Sequence, residues 1–437
     1  MANCRTVALI AVVCLVLAAT FPAVAADPPA GQAIELFNGH DLSGWVNVNC
    51  APDTFAARDG EIVTTGKPRG FLRTDRMYEN YVLELDWKHV AKNGNSGLFV
   101  HADALPQVGA PYPYAVEVQV MDGDHGSMFG IRGMTATPVN KSGRRAMPTE
   151  NRAKPAGEWN HYRLTSQDGT LQLEVNGKQV TTLKDCSHVK GYVALEAELG
   201  ECHFRNIRLT PRPSSNPPAE KVAMADEGFT SIFDGLNFAG WNYRDGHKGH
   251  WTAKDGVIHY DGKATGPRKD RDLWTEKEYG DFVLVADWRL PSEPKMKPHP
   301  IVLPNGDFVF DENGKRKTTP KLDAGDSGIY LRGSDKAQLN IWSQDLGSGE
   351  INGYRTDKSM PADVRKACIP LKKADKKFGE WNRFVATVRG DRVTCVLNGE
   401  LVIDNARLPG MPAKGPIGLQ HHGDPVEFRN LFVKELK

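Results

Sequence analysis

The 437-residue chain balances 55 Lys and Arg against 54 Asp and Glu, with 40% apolar and 25% charged residues. These figures fit a water-soluble globular protein. They exclude a disordered chain, a membrane bundle, and a surface built for nucleic-acid phosphates or anionic lipid, which needs a concentrated excess of cations. At about 150 residues per domain the length allows three small units or two large β-type ones.

The chain opens with Arg5, an apolar stretch Val7–Ala19, and small residues at Ala23-Val24-Ala25. This pattern predicts a signal peptide over residues 1–26, with export to the periplasm or outside the cell. No later stretch is long and apolar enough to span a bilayer, so the protein is not expected to be membrane-embedded. Beyond the signal remain Cys50, Cys186, Cys202, Cys368 and Cys395. Five is odd and no pair has CxxC spacing, so they read as small buried residues rather than a thiolate zinc cage.

Next comes an internal repeat. Leu36-Phe-Asn-Gly-His-Asp-Leu-Ser-Gly-Trp45 returns as Ile232-Phe-Asp-Gly-Leu-Asn-Phe-Ala-Gly-Trp241. Tyr81–Lys88 is answered by Phe282–Arg289, Asn95–His101 by Asp326–Arg332, Gly157–Asn160 by Gly379–Asn382, and Phe204–Ile207 by Phe428–Leu431. The repeat defines two tandem domains over residues 30–212 and 226–437, joined by a Pro/Ser-rich linker over 213–225. Copy two carries an insertion, Pro291–Gly325, whose Pro304-Asn305-Gly306 turn predicts a hairpin between 301–303 and 307–310.

Within each copy, runs such as Tyr81/Leu83/Leu85/Trp87 and Val393/Cys395/Leu397 alternate apolar and polar. Period two with Asp-Gly and Asn-Gly turns predicts antiparallel β-sandwiches, with a short helix only within Asp363–Lys377. Parity then sorts the polar residues. Val116, Val118 and Val120 pack inward, and Glu117 and Gln119 face the other side. Val193, Leu195 and Ala197 likewise leave Glu196 and Glu198 opposite them. Phe99 and His101 share a face, and the loop after Met121 is expected to bring His125 over the site.

Phe-Asn-Gly-x-x-Leu-x-Gly-Trp, the Asn/Asp-Ser-Gly strand, Val116-Glu-Val-Gln-Val-Met-Asp122, Gly-Glu-Trp-Asn, Gly415-Pro-Ile-Gly-Leu-Gln-His-His-Gly423 and Phe-Arg-Asn together resemble the 3-keto-disaccharide hydrolase family, the former domain of unknown function 1080. The resemblance covers both copies. It implies an all-β fold of two tandem concanavalin A-like jelly-roll sandwiches, and breakdown of sugars oxidised at C3, with a divalent metal cation in some members.

A C3 ketone acidifies the C2 proton, so elimination of the C1 substituent followed by hydration gives net hydrolysis. It needs a base at C2, an electrophile at the C3 oxygen, and an acid at the leaving oxygen. The expected catalytic residues are Glu117, His125 and Glu196, with Gln119 and Glu198 binding substrate and Glu117 with His101 as metal ligands. In copy two Asn340 is set opposite Glu117 and Trp342 opposite Gln119, which removes the base. Arg332, Trp342, Gln420 and His422 are then expected to bind sugar, with Tyr330 as a stacking partner, or else to form an active site with different ligands. Trp45, Trp241, Trp159 and Trp381 read as structural. No Gly-x-Ser-x-Gly, P-loop or dinucleotide fingerprint is present, so no nucleotide cofactor is expected. The partner is an oligosaccharide or oxidised glycoside, and not nucleic acid. The rival expectations are a lectin-like pair of sugar-binding domains and an ordinary glycosidase.

Overall fold

In the first half, Leu83, Leu85 and Trp87 of one strand meet Val116, Val118 and Val120 of another across a sealed interior. Each such side chain contributes about 1.5–3 kcal/mol on burial. The computed structural model describes residues 29–267 and 270–437. The signal expectation for residues 1–26 lies outside them.

Among the described residues the first half is two packed antiparallel sheets of nine and eight strands. One is centred on Tyr81–His89, Asn160–Gln167 and Cys202–Pro211; the other runs Met128–Ile131, Ala115–Met121, Asn95–Ala102, Tyr192–Ala197, Gly70–Thr74. The second half repeats the plan with an eight-stranded and a four-stranded sheet. The fold is all-β, two tandem jelly-roll sandwiches. Among the described residues helix is confined to short segments such as Asn352–Arg355 and Ala362–Ala367. No described helix is long and apolar enough to cross a membrane.

The insertion forms its hairpin from flanks further out than the sequence suggests. Lys295–Pro300 pairs with Thr318–Asp323, and single bridges join Val302 to Phe308 and Phe310 to Arg316. Residues 213–225 follow the surface of the first sandwich, where Glu79 accepts from Ser214 and Ser215, and Arg73 pairs with Asp226 just beyond at 2.6 Å. All five described cysteines are free thiols. Trp45 and Trp241 each donate an indole N–H to a carbonyl nine residues upstream at 2.7 Å, the same latch in both copies.

Candidate active site

The concave face of the first half's eight-stranded sheet carries a cavity of about 650 Å³. Alternation along Ala115–Met121 sends the three valines into the core and Glu117 and Gln119 into this cavity. Along Tyr192–Ala197 it does the same, with Glu196 and Glu198 joining them. The volume accommodates a disaccharide. Asn95 lies on the floor, Tyr112 forms a wall, and Arg132, Lys141, Arg144 and Arg145 give the mouth positive charge.

Gly97 sets the spacing of the two central carboxylates. A Cβ there would stand 2.8 Å from Glu196 Oε2 and 3.2 Å from Glu117 Cγ. Its φ is ordinary for a strand, so the constraint comes from those side chains rather than from backbone conformation. Around the pair, Gln119 Nε2 donates to Asn95 Oδ1 at 3.1 Å, and Asn95 Nδ2 donates to Glu198. Glu198 also meets Arg69 at 3.5 Å. Tyr112 donates its hydroxyl to Ala197 O at 3.2 Å. Glu196 Oε2 and Gln119 Oε1 are buried without a hydrogen-bond partner.

Burial raises the pKa of both Glu117 and Glu196. For Glu117 the charge of Glu198 adds to this, and Arg145 and Arg132 oppose it. For Glu196 the charges of Glu117 and Glu198 add. Two carboxylates this close in a dry site share protons rather than ionise together, which leaves one poised as base and one as acid. Gly97→Ala is expected to push them apart. It should lower kcat/KM by about tenfold or more, with a melting temperature close to the parent's. Unchanged activity would show that this pair does not do the chemistry.

Several expectations are corrected. His101 has a left-handed φ of 53°, which turns its ring off the alternating pattern and into the core. It is fully buried there, 3.0 Å from Ser166 Oγ of the opposite sheet and edge-on to Tyr81, so it cannot share a metal with Glu117. His125 stacks on Trp87, ring centroids 5.0 Å apart. Its loop closes the end of the sandwich, where Gly126 N–H donates to Gln119 O and Gly126 O accepts from Thr181, so the imidazole does not line the cavity.

Arg332 is the repeat counterpart of His101 and has the same left-handed turn, φ 51°. It is 1% exposed, and its guanidinium donates to Gly280 O, Gly390 O, Pro412 O and Asp281, so it is held inside the fold away from any sugar. Tyr330 is covered by Trp274, the rings stacked at 5.1 Å.

A further correction is one of register. Gly97 pairs with Gln119 in the first half and Gly328 with Asn340 in the second. Asn340 therefore stands at Gln119's place, Trp342 at Met121's, and Gln338 at Glu117's. Leu98–Leu195 and Ile329–Leu419 align in the same way, so Gln420 answers Glu196 and His422 answers Glu198. The second half thus carries the pair Gln338 and Gln420 where the first has Glu117 and Glu196.

Its face is filled as well. Buried Arg355 pairs with Glu350 and donates to Gly306 O of the insertion, and Glu350 accepts from Asn340 at 3.2 Å. Trp342 donates its N–H to Gly347 O at 2.8 Å and lines a separate cavity of about 310 Å³, to which Arg332, Gln420 and His422 do not contribute. His422 lies at the surface, 3.6 Å from Asp326.

Asn95, Tyr112 and the arginines of the mouth were not anticipated. Asn95 opens the repeated Asn/Asp-Ser-Gly strand, two residues before Gly97, which is a usable signal. Tyr112 has none, because its loop acquires a position only through tertiary contacts.

With His101 turned away, the remaining donors for a cation are oxygens. Among the described residues no three His, Cys, Asp or Glu are gathered to hold an ion. Glu117 and Glu196 are two carboxyls that burial and mutual repulsion hold towards the protonated form, so without the His101 imidazole they do not fit a divalent cation.

A model of the 3-keto-alpha-glucoside-1,2-lyase-like domain matches residues 32–210 and 228–434. A 3-keto-disaccharide hydrolase of Bacteroides thetaiotaomicron is 26% identical over 249 residues, which are 48% of this chain and 79% of that protein. Among solved structures, a candidate glycosyl hydrolase from Parabacteroides distasonis has a TM-score of 0.34 and 23% identity, over 41% of this chain and 94% of that one. The carbohydrate binding module CBM66 from Bacillus subtilis has 0.26 and 16%, over 38% and 94%. At these TM-scores the fold rests on the sheets themselves.

Proposed function

Because the chain belongs to the family of 3-keto-alpha-glucoside-1,2-lyase-like domains, we propose that it cleaves glycosides oxidised at C3, in the first half alone, by elimination followed by hydration. The observation that carries this reading is the buried Glu117/Glu196 pair, which the second half replaces with Gln338 and Gln420. Neither amide can move a proton, so the repeat itself separates a working site from an inert one.

Glu117, whose charged form Arg145 and Arg132 favour, is the base that takes the C2 proton. The C2–H electrons form the enolate, whose oxygen faces the cationic mouth formed by Arg132 and Arg145. As the C3 carbonyl re-forms, the C1–C2 double bond is made and the C1–O bond breaks. Glu196 gives its proton to the departing oxygen. Addition of water across the new double bond then completes hydrolysis. Glu198, Asn95 and Gln119 hold ring hydroxyls.

The pattern at Arg5 and Val7–Ala19 supports placing this activity outside the cytoplasm. The test is incubation of the purified chain with a 3-keto-disaccharide and its unoxidised parent, followed by mass spectrometry, with and without chelator. Cleavage of the keto sugar alone is the expected result. Saturable binding of the parent with no product from either sugar would make the chain a carbohydrate-binding pair instead.

A further inference from the structure

Both halves carry the same group of side chains on the outer face of their larger sheet, but only the second half's group holds a loop of the other half. There Asp287 is fully buried and accepts from four groups: Arg383 Nε and Nη2 at 2.6 and 2.9 Å, Asn430 Nδ2 at 2.6 Å, and the backbone N–H of Gly109 at 2.8 Å. Asn430 also donates to Ala110 O at 2.9 Å, Arg429 to Gly109 O at 3.0 Å, and Arg383 to Pro106 O at 2.9 Å. Trp381 lies so close to Gly109 that a Cβ there would stand 2.3 Å from its ring. A buried carboxylate is costly unless fully paired. Here the pairing includes the main chain of a loop 178 residues away.

The counterparts in the first half bond mainly to one another. Asp86 accepts from His161 at 2.8 Å and Asn206 at 2.7 Å, and Arg205 lies over Trp159 at 3.9 Å. The surrounding face diverges in the same sense. Val285, Val385 and Phe432 pack with Phe71, Phe99 and Tyr112 of the first half. At the same repeat positions the first half has Glu84, Arg163 and Arg208, which form surface ion pairs, Arg208 with Glu84 and Arg163 with Glu174. Three charged positions on a solvated face have become apolar where the face is covered.

The loop that this face grips ends in Tyr112, the wall of the carboxylate cavity. We infer that the second half is a scaffold. Its outer sheet clamps the Pro106–Tyr112 loop and so positions Tyr112 over the first half's site, with Asp287 as the central positioning residue. The kinetic part of this inference rests on the proposed function, whereas the clamp itself does not.

The test uses the full chain bearing V285E, V385R and F432R, which gives the second half the first half's own residues. Two further variants are D287A and D287N. In the triple variant and in D287A, amide exchange at Gly109 is expected to rise about tenfold or more, because the N–H loses its partner. With a 3-keto-disaccharide, KM is expected to rise about tenfold with kcat within about threefold, the signature of a lost binding wall. D287N keeps one acceptor oxygen for Gly109 but sets its amide N–H against Arg383, so both readouts should fall between the parent and D287A. Unchanged exchange overturns the clamp, whatever the activity. Faster exchange with unchanged KM overturns the placement of Tyr112. If the triple variant does not fold, V285E alone is read by the same criteria. A parent chain with no turnover would contradict the proposed function and leave the exchange measurement to judge the clamp.

Discussion

A Glu117→Gln chain is expected to keep its fold, lose turnover by about 10²–10⁴-fold or more, and melt at a higher temperature than the parent at pH 8. The two effects share one cause. Burial first, then the charge of Glu198, lifts the Glu117 pKa from 4.5 to about 8. Between those values the folded chain holds a proton that the unfolded chain has released. Stability therefore falls as pH rises through that window. The neutral isostere removes the penalty, and for domains of this size each kcal/mol recovered raises the melting temperature by about 2–4 °C. Below pH 4 the parent and variant should melt together. Thermal melts across pH, beside product formation, check both halves of the claim. Retained turnover would remove Glu117 as the base, and a variant less stable than the parent at pH 8 would contradict the buried charge.

Glu196→Gln should separate the two proton transfers. Glu117 can still remove the C2 proton, so exchange of that hydrogen with solvent deuterium continues while bond cleavage falls by about 10²–10⁴-fold. A 3-keto-glucoside carrying a nitrophenolate needs no proton on departure, so it should restore cleavage in this variant and not in Glu117→Gln. In the parent, the rate should climb as Glu117 ionises towards about pH 8. NMR of the C2 hydrogen together with product release reads all of this. Loss of exchange and cleavage together would assign Glu196 to the first step instead.

How far the site was legible depended on what alternation can report. Facing was readable wherever a strand keeps period two. Val116, Val118 and Val120 fixed the side of Glu117 and Gln119, and Val193 with Leu195 fixed that of Glu196. Alternation fails where one residue leaves the β region, as His101 and Arg332 do at φ 53° and 51°. It is also blind to a two-residue slip, because such a slip preserves every facing. That is why Asn340 seemed to answer Glu117 when the ladder gives that place to Gln338. The conclusion that the second half lacks the carboxylate survived because Gln338 and Asn340 are both amides. Tyr112 and the Asp287 cluster were out of reach for a different reason: their roles depend on how one half packs against the other.

The central claim is that the first half breaks a glycosidic bond by removing the C2 proton of a 3-keto sugar. The most direct measurement follows a 3-keto-disaccharide deuterated at C2, beside its unoxidised parent, by mass spectrometry and NMR. The account predicts that only the keto sugar is cleaved, that deuterium at C2 slows the reaction, and that the label is lost to water. Equal cleavage of the parent, or products that keep the deuterium at full rate, would contradict it and point to an ordinary glycosidase acting through an oxocarbenium ion.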